Sequence, residues 1–420
     1  MKFLIGIYIP STSRLVPSRN SDKPDFLNHL ESLSRMTYLN CIRLNALLLV
    51  AFVAFAQTPP PAQTTPPAQS TDAQPAPAPA APPAWTLGGI KFSGFVDGYY
   101  SFNSNHPASG SNSGVRFFDQ KANTLSLNVA RLTMERAPEP IGFRIDLGFG
   151  RGMDLFNSFE PSSDARGINR HIMQAYVSVK PKGWGGFQFD FGKFVTSAVA
   201  EVTDTHLNYN YSRSLSYSLG PFNHTGARIS KPVNSYWTTG FQLVNGWNNV
   251  EDNNSGKTIG LANSFVGKKA AYYNTYYAGP EKTATNQGKR HFLSQVLNLT
   301  PNDKTSFYLS HDYGYEKGLD GTKGIISAFA AAARFQANNW FAISPRLEHY
   351  NDRGIWTSGA IQKLKEFTLT GEFKHAKGFL TRIEFRRDWS NVPFFDKGNE
   401  NASAKSQNTL LIGFIAYFGE

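Results

Sequence analysis

The chain has 420 residues, of which 14% are aromatic and 17% charged, and its formal net charge is +11. No apolar run reaches the roughly 20 residues that a membrane-spanning helix needs, so the composition excludes a helical membrane protein. The positive charge is spread along the chain without a Lys/Arg cluster, so we expect no nucleic-acid partner.

The longest apolar run lies at 44–56 and predicts a signal peptide. "LNALLLVAFVAFA" is too short for a membrane span, a positive charge precedes it at Arg43, and it ends in the cleavage pattern Ala54-Phe55-Ala56. Since Met36 lies just upstream, we interpret 36–56 as the signal peptide and 1–35 as an over-called start or a leader extension. The leader through residue 56 holds six Lys/Arg, three Asp/Glu and Cys41, the only cysteine, so the mature chain would carry +8 and no thiol.

Residues 57–84 differ from both flanks in composition. Ten of these 28 residues are Pro, and most others are Ala, Gln or Thr. Such a sequence cannot build a core and favours extended conformations, so it predicts a disordered linker. A docking segment for a cell-wall partner is the alternative.

From Trp85 onward, apolar and polar residues alternate with a period of two. In "IGFRIDLGFG" (141–150), the apolar side chains of Ile141, Phe143 and Ile145 alternate with polar or small residues. This pattern is typical of a strand with one apolar face and one polar face. Alternation of the same kind recurs at 186–194, 366–374 and 379–388.

The connections between these strands alternate between short turns and long polar loops. Seven short turns and eight long loops separate 16 predicted strands, although 14 or 18 strands are left open. The predicted spans are 90–102, 124–135, 141–149, 170–180, 187–194, 223–231, 236–245, 257–266, 271–277, 290–299, 305–313, 324–336, 340–349, 363–374, 379–389 and 408–418. Short turns at one end and long loops at the other are typical of a bacterial outer-membrane barrel.

Residues 85–420 are therefore predicted to form an all-β, antiparallel, up-and-down transmembrane barrel. Lipid offers no hydrogen-bond partners, so a sheet that spans it must close on itself. One face must be apolar, whereas the other can face water, which reconciles the negative mean hydropathy with a membrane location. About 16 strands enclose an aqueous channel.

Several stretches resemble the OmpL-like β-barrel porin family. They are "FSGFVDGYY" at 92–100, "QLVNGWNN" at 242–249, "FAISPRLEHYNDRG" at 341–354 and "RIEFRRDWSN" at 382–391. No single motif is specific, and the likeness lies in their order and spacing over nearly the whole mature chain. The resemblance implies a pore in the bacterial outer membrane but names no solute.

Charged residues in the lumen-facing phase are the candidate pore-lining residues. Charges of both signs could tune which ions pass, or they could form cross-strand ion pairs that hold the wall. Neutral replacement of two of them, at 382 and 386, is expected to reduce any anion preference. The full set, with one residue from a long loop, is Arg144, Asp146, Asp190, Arg213, Arg346, Glu348, Arg382, Glu384 and Arg386.

The long connection 195–222 is the second candidate feature. "YNYSRSLSYSLGP" at 209–221 is too long for a turn and carries three Tyr and one Arg. We expect it to fold into the barrel and narrow it, as porin loops do, and an extracellular cap is the alternative.

Sequence motifs that would indicate a catalytic or metal-binding site are weak in this chain. No HExxH, G-x-S-x-G or P-loop pattern occurs. A pair formed by Ser218 with His206 or His224 stays open as a hydrolase site. The stretch "NNVEDNNSG" (248–256) could offer oxygens to Ca²⁺, although EF-hand spacing is absent. We expect no enzyme activity, cofactor or metal.

The sequence therefore predicts an outer-membrane porin that passes small hydrophilic solutes by diffusion with a slight anion preference. The alternatives are a barrel used for adhesion or ligand capture through its long loops, and a barrel hydrolase. The expected partners are membrane lipid and small solutes. Homo-trimer formation and a cell-wall contact through the linker are left open.

Overall fold

The computed structural model describes residues 85–112, 115–158, 166–354 and 358–419. The segments predicted as leader, signal peptide and linker lie outside these ranges. Within the described residues, no helix is long and apolar enough to cross a membrane.

Sixteen antiparallel strands form one closed sheet, which confirms the predicted barrel. Each strand pairs with its neighbours in sequence, and the last strand pairs with the first, with Phe418 opposite Gly94 and Thr409 opposite Asn103. Closure leaves no unpaired edge, as a sheet surrounded by lipid requires. The strands are β1 Ile90–Asn103, β2 Leu125–Arg136, β3 Ile141–Phe149, β4 Ile172–Val179, β5 Gln188–Val195, β6 Asn223–Pro232, β7 Trp237–Val244, β8 Thr258–Val266, β9 Ala270–Gly279, β10 Arg290–Asn302, β11 Thr305–Lys317, β12 Lys323–Gln336, β13 Phe341–Arg353, β14 Gln362–Ala376, β15 Phe379–Ser390 and β16 Ser406–Phe418.

Every predicted strand has a counterpart, including those at 223–231 and 257–277, where the apolar face is thin. The main differences are in length. Strands β11 and β13 run to Lys317 and Arg353, four residues beyond their predicted ends at the long-loop end. Backbone pairing continues there with polar side chains such as Glu316 and Asp352, so apolar alternation does not mark where the strand stops.

Short elements occupy the long connections. They are the helices α1 Arg151–Phe156, α2 Arg166–Asn169 and α3 Leu215–Leu219, and 3-10 turns at Lys182–Trp184 and Thr205–Leu207. A small hairpin pairs Phe395–Lys397 with Glu400–Ala404, and Thr86–Leu87 pairs with the start of β1. Of these elements, α3 and the turn at Thr205–Leu207 lie in the long connection that approaches the inner wall.

Candidate functional site

The two faces of the barrel wall differ sharply in accessibility. On β13, Leu347 is 58% exposed, whereas the preceding Arg346 is 0% exposed. On β15, Ile383 and Phe385 are exposed, while the alternate positions are buried. The apolar phase faces outward toward lipid and the charged phase faces inward, as the alternation predicted.

Residues 196–222, which connect β5 and β6, fold against this charged inner face and are called the inner segment below. Because the segment makes few backbone pairs of its own, its N–H and C=O groups need other partners when buried. Side chains from β13 and β15 supply many of them. The segment crosses the lumen and does not cap it from outside.

Arg382 on β15 binds three carbonyls of the inner segment. Its Nη1 atom donates to Thr205 O at 2.7 Å and to Asn210 O at 2.9 Å, and Nη2 donates to Asn208 O at 2.6 Å. Nη2 also donates to Glu372 Oε2 at 2.7 Å, which balances its charge. One guanidinium thus fixes the path of six consecutive residues.

Arg346 and Arg386 hold the next part of the inner segment. Arg346 Nη1 donates to Ser212 O at 2.8 Å and to Glu201 Oε1 at 2.7 Å. Arg386 Nη1 donates to Arg213 O at 2.6 Å. All of these groups are buried, so the charge-assisted bonds are shielded from water and correspondingly strong.

Glutamates on the same wall accept the N–H groups of the inner segment. Glu384 accepts from Tyr211 N at 2.7 Å and from Ser212 N at 3.1 Å. Glu348 accepts from Leu215 N at 2.8 Å, at the start of α3. Charges of both signs are needed on this wall because arginines bind the segment's carbonyls and glutamates bind its amides.

The inner segment is also fixed to β1 and β2. Thr205 Oγ1 donates to Asp97 Oδ2 at 2.5 Å, and Arg131 forms a buried ion pair with Asp204. Arg213, which belongs to the segment, donates to the carbonyls of Val202 and Thr203 and so folds the segment onto itself.

Apolar packing completes the attachment at the long-loop end. Leu215 and Leu219 of α3 pack in a buried cluster with Tyr277, Phe292 and Ile326 from the inner face of β9, β10 and β12. A second cluster joins Phe222 to side chains from two other long connections, namely Phe118, Met153 and Phe156. The long loops therefore fold together within the barrel mouth.

The structure brings some predicted site residues together and keeps others apart. Five of them lie under the inner segment with fully buried side chains and contact backbone instead of an open lumen: Arg346, Glu348, Arg382, Glu384 and Arg386. The other wall residues, Arg144, Asp146 and Asp190, lie on the opposite side, where Arg144 bridges Asp146 at 3.1 Å and Glu135 at 3.4 Å. A direct role in ion selectivity stays a prediction for both groups.

The sequence reasoning missed four charged residues of the barrel interior. Arg131 and Arg228 follow the polar phase of β2 and β6, so alternation could have found them. Arg116 forms buried ion pairs with Asp119 and Asp388, and Glu201 forms one with Arg346. Both residues lie in loops, where the sequence has no periodicity, so no sequence signal marks them.

The residues proposed for a hydrolase site contact other groups. Ser218 Oγ donates to Ser214 O at 3.0 Å within α3. The ring nitrogens of His224 lie 2.9 Å from Gly246 O and 3.3 Å from Thr196 Oγ1. The ring of His206 stacks on Tyr417 with centroids 4.7 Å apart.

The proposed Ca²⁺ loop uses its oxygens internally. Asp252 pairs with Lys257 and accepts from Asn254 N, while Asn254 Oδ1 accepts from Gly256 N. Across the part of the chain that the structure describes, no group of three or more His, Cys, Asp or Glu could hold a metal ion.

Among the described residues, cavities lie between the inner segment and the short-turn end. One of about 560 Å³ lies against Arg334, Trp340 and Lys374. Two others, of about 440 and 280 Å³, lie between the inner segment and strands β3 to β8, and this part of the wall is called the uncovered wall below. A solute that passes the inner segment would meet this uncovered wall.

Glu201 gives the attachment of the inner segment a predictable pH dependence. Burial alone would raise the pKa of Glu201, but Arg346, the Ser214 amide and Arg213 together bring it below its ordinary 4.5. The ionised carboxylate therefore stabilises the attachment above about pH 4.5, and this contribution is lost as pH falls through the lowered pKa.

We expect the contribution of Glu201 to channel conductance to be constant above about pH 4.5 and to be lost below it, as Glu201 protonates. Bilayer recordings above and below this pH test the prediction. E201Q should show the acid-form conductance already at neutral pH. If E201Q shows the same change in conductance at acid pH as the wild type, that change belongs to the protonation of another group.

The closed 16-stranded barrel, with an apolar exterior, a polar interior and a loop folded inward, defines a protein of the porin class. The model of a family described as "Putative beta-barrel porin-2, OmpL-like" matches residues 89–418. The chain belongs to this family. The comparison with curated proteins gives no match.

Solved structures share the fold at low sequence identity. An anion-selective porin from Comamonas acidovorans is 12% identical with a TM-score of 0.54, covering 78% of this chain and 99% of that one. OmpT, expressed in the outer membrane of Vibrio cholerae, is 12% identical with a TM-score of 0.51 and coverages of 78% and 97%. The outer-membrane channel DcaP of Acinetobacter baumannii is 9% identical with a TM-score of 0.51 and the same coverages. At these identities, the likeness establishes the fold alone.

Proposed function

We propose that this chain is a passive, non-enzymatic channel of the bacterial outer membrane that passes small hydrophilic solutes with a slight anion preference. The observation that carries the proposal is the inner segment, which is bound along β13–β15 and leaves cavities along the opposite wall. A loop fixed in this way narrows the barrel without filling it. Membership of a porin family supports the same function.

The anion preference has a general and a local basis. The predicted mature chain carries +8. On the uncovered wall, the side chain of Arg228 is 24% exposed, whereas its partner Asp190 is 4% exposed. The accessible end of this ion pair is therefore the positive one, and a passing solute meets the cation more closely than the carboxylate.

The proposal includes two partners beyond the solute. Exposed apolar side chains such as Leu347, Ile383, Leu410 and Phe414 form the lipid-facing surface. We further propose that the barrels assemble as homo-trimers. A cell-wall contact through residues 57–84 stays a prediction from the sequence.

Planar-bilayer recording of the refolded mature chain tests the function. The expected result is stepwise single-channel current, with a reversal potential in a KCl gradient shifted toward that of chloride. Absence of current from correctly folded protein would favour the adhesion or ligand-capture alternative. A reversal potential shifted toward that of potassium would support a channel but refute the proposed anion preference.

A further inference from the structure

Arg228 on β6 lies on the wall that the inner segment leaves uncovered. It lines both the 440 Å³ and the 280 Å³ cavities, together with Ser197 and Tyr273. Arg228 is therefore placed where a solute would move from one cavity to the other.

The guanidinium of Arg228 is held rigidly on three sides. Its Nε atom donates to Asp190 Oδ2 at 2.7 Å. Its Cζ atom lies 5.1 Å from the centre of the Tyr176 ring and 4.4 Å from the centre of the Phe194 ring. Stacking on two rings and one charged hydrogen bond fix the plane of the side chain, so little conformational entropy would be lost on binding a ligand.

Asp190 does not compete with a solute for Arg228. Besides accepting from Arg228, it accepts from Ser178 Oγ at 2.6 Å and from Gln188 Nε2 at 2.9 Å. The Asp190 side chain is 4% exposed, compared with 24% for Arg228. The carboxylate is buried and saturated, and the cation is the end of the pair that solute can reach.

The two terminal nitrogens of the Arg228 guanidinium are available to donate hydrogen bonds to a ligand. Among the described residues, only Nε of this guanidinium has a hydrogen-bond partner. Two terminal amino groups in a planar fork match the two oxygens of a carboxylate, which arginine binds bidentately. On the inner segment, residues 196–200 of the same lining are neutral. The two acidic residues that also line the cavity, Glu201 and Asp204, are paired with Arg346 and Arg131.

We propose that Arg228 is a binding subsite for small organic carboxylates, with the carboxylate on the guanidinium and a short apolar body against residues 197–199. This inference rests on the proposed channel function and names the solute class that its anion preference serves. Phosphate offers similar oxygens but has no apolar body to contact this surface, so it should bind less well than a short carboxylate.

Chloride current measured with added butyrate or inorganic phosphate tests the subsite. Butyrate should occupy Arg228 and reduce the wild-type chloride current, and phosphate should do so less. R228Q should lose this block. R228K keeps the charge but not the planar fork, so its block constant should rise about tenfold, as expected for one charge-assisted hydrogen bond.

K231M is the matched control because Lys231 belongs to the same strand and lies over the Phe187 ring at 4.6 Å. It removes one positive charge and should leave the butyrate block unchanged. Heat-modifiable gel migration verifies that each variant folds. If R228Q does not fold, R228K provides the test. A wild-type chain without current refutes the channel itself. A conducting R228Q or R228K with the wild-type block constant, or stronger block by phosphate, overturns the carboxylate subsite alone.

Discussion

Replacing Arg382 by methionine is expected to detach the inner segment from β15 and to increase single-channel conductance. The change removes every hydrogen bond from Arg382 to the carbonyls of Thr205, Asn208 and Asn210. Removing one partner of a buried charged network costs about 3 kcal/mol, because the groups left behind stay buried without partners. That loss is large enough to convert a fixed segment into one that opens.

The matched control is R387M, which changes the next residue of β15. Arg387 faces outward, lies over the Trp389 ring and donates to Asn408 Oδ1 at 3.2 Å. Since it does not touch the inner segment, R387M should keep the wild-type conductance. Equal conductance for R382M and R387M would mean that the wall arginines do not hold the segment.

Replacing Gly413 by valine is expected to displace the inner segment by steric overlap. Gly413 lies on β16 directly beneath the ring of Tyr211, a residue of the segment that is fully buried. A Cβ atom at position 413 would lie 2.3 Å from Tyr211 Cδ2, so the whole ring has to move. Overpacking of this kind costs about 1–3 kcal/mol. Conductance should rise while the circular-dichroism signal of the barrel is unchanged.

G371V is the matched control on β14. A Cβ atom at Gly371 would meet its nearest neighbours, the rings of Phe341 and Phe373, at 3.4 Å, which is ordinary contact. This variant should fold and conduct like the wild type. If G413V also conducts like the wild type, Tyr211 does not pack on β16.

The barrel was predictable because a single physical constraint repeats along the chain. Each strand must present apolar side chains to lipid on alternate positions, as Leu347, Ile383 and Leu410 do, and this leaves a period of two in the sequence. The alternation of short and long connections then gives the strand count. Both signals are local, so they do not depend on knowing which residues meet in space.

The attachment of the inner segment could be predicted only in part. Alternation predicts that the side chains of Arg346, Glu384 and Arg382 point into the barrel. It does not predict which groups these side chains bind. They are bonded to backbone atoms of residues that lie more than 130 positions away in sequence, and a backbone carbonyl leaves no trace in residue identity. Arg228 was missed for a related reason, because β6 has a weak apolar face and its polar phase was not followed.

The distribution of charge on the wall now has a structural explanation. A loop that enters a barrel brings unpaired N–H and C=O groups away from bulk water, and each needs a partner. Glu384 and Glu348 accept the amides, and Arg382, Arg346 and Arg386 donate to the carbonyls. The opposite wall has fewer charged side chains that bind the segment, and cavities lie along it. One wall therefore holds the inner segment, and the other is left for the solute to pass.

Thiol labelling of S212C in a folded chain of residues 57–420, which holds no cysteine of its own, tests the position of the inner segment most directly. Ser212 is fully buried between Arg346 and Arg386, whereas Asn401 in the last long connection is exposed. A hydrophilic maleimide should modify S212C at least about 100-fold more slowly than N401C, because labelling requires an opening that costs about 3 kcal/mol. R382M should remove most of this protection. Equal labelling rates for S212C and N401C in the otherwise wild-type chain would contradict a segment bound inside the barrel.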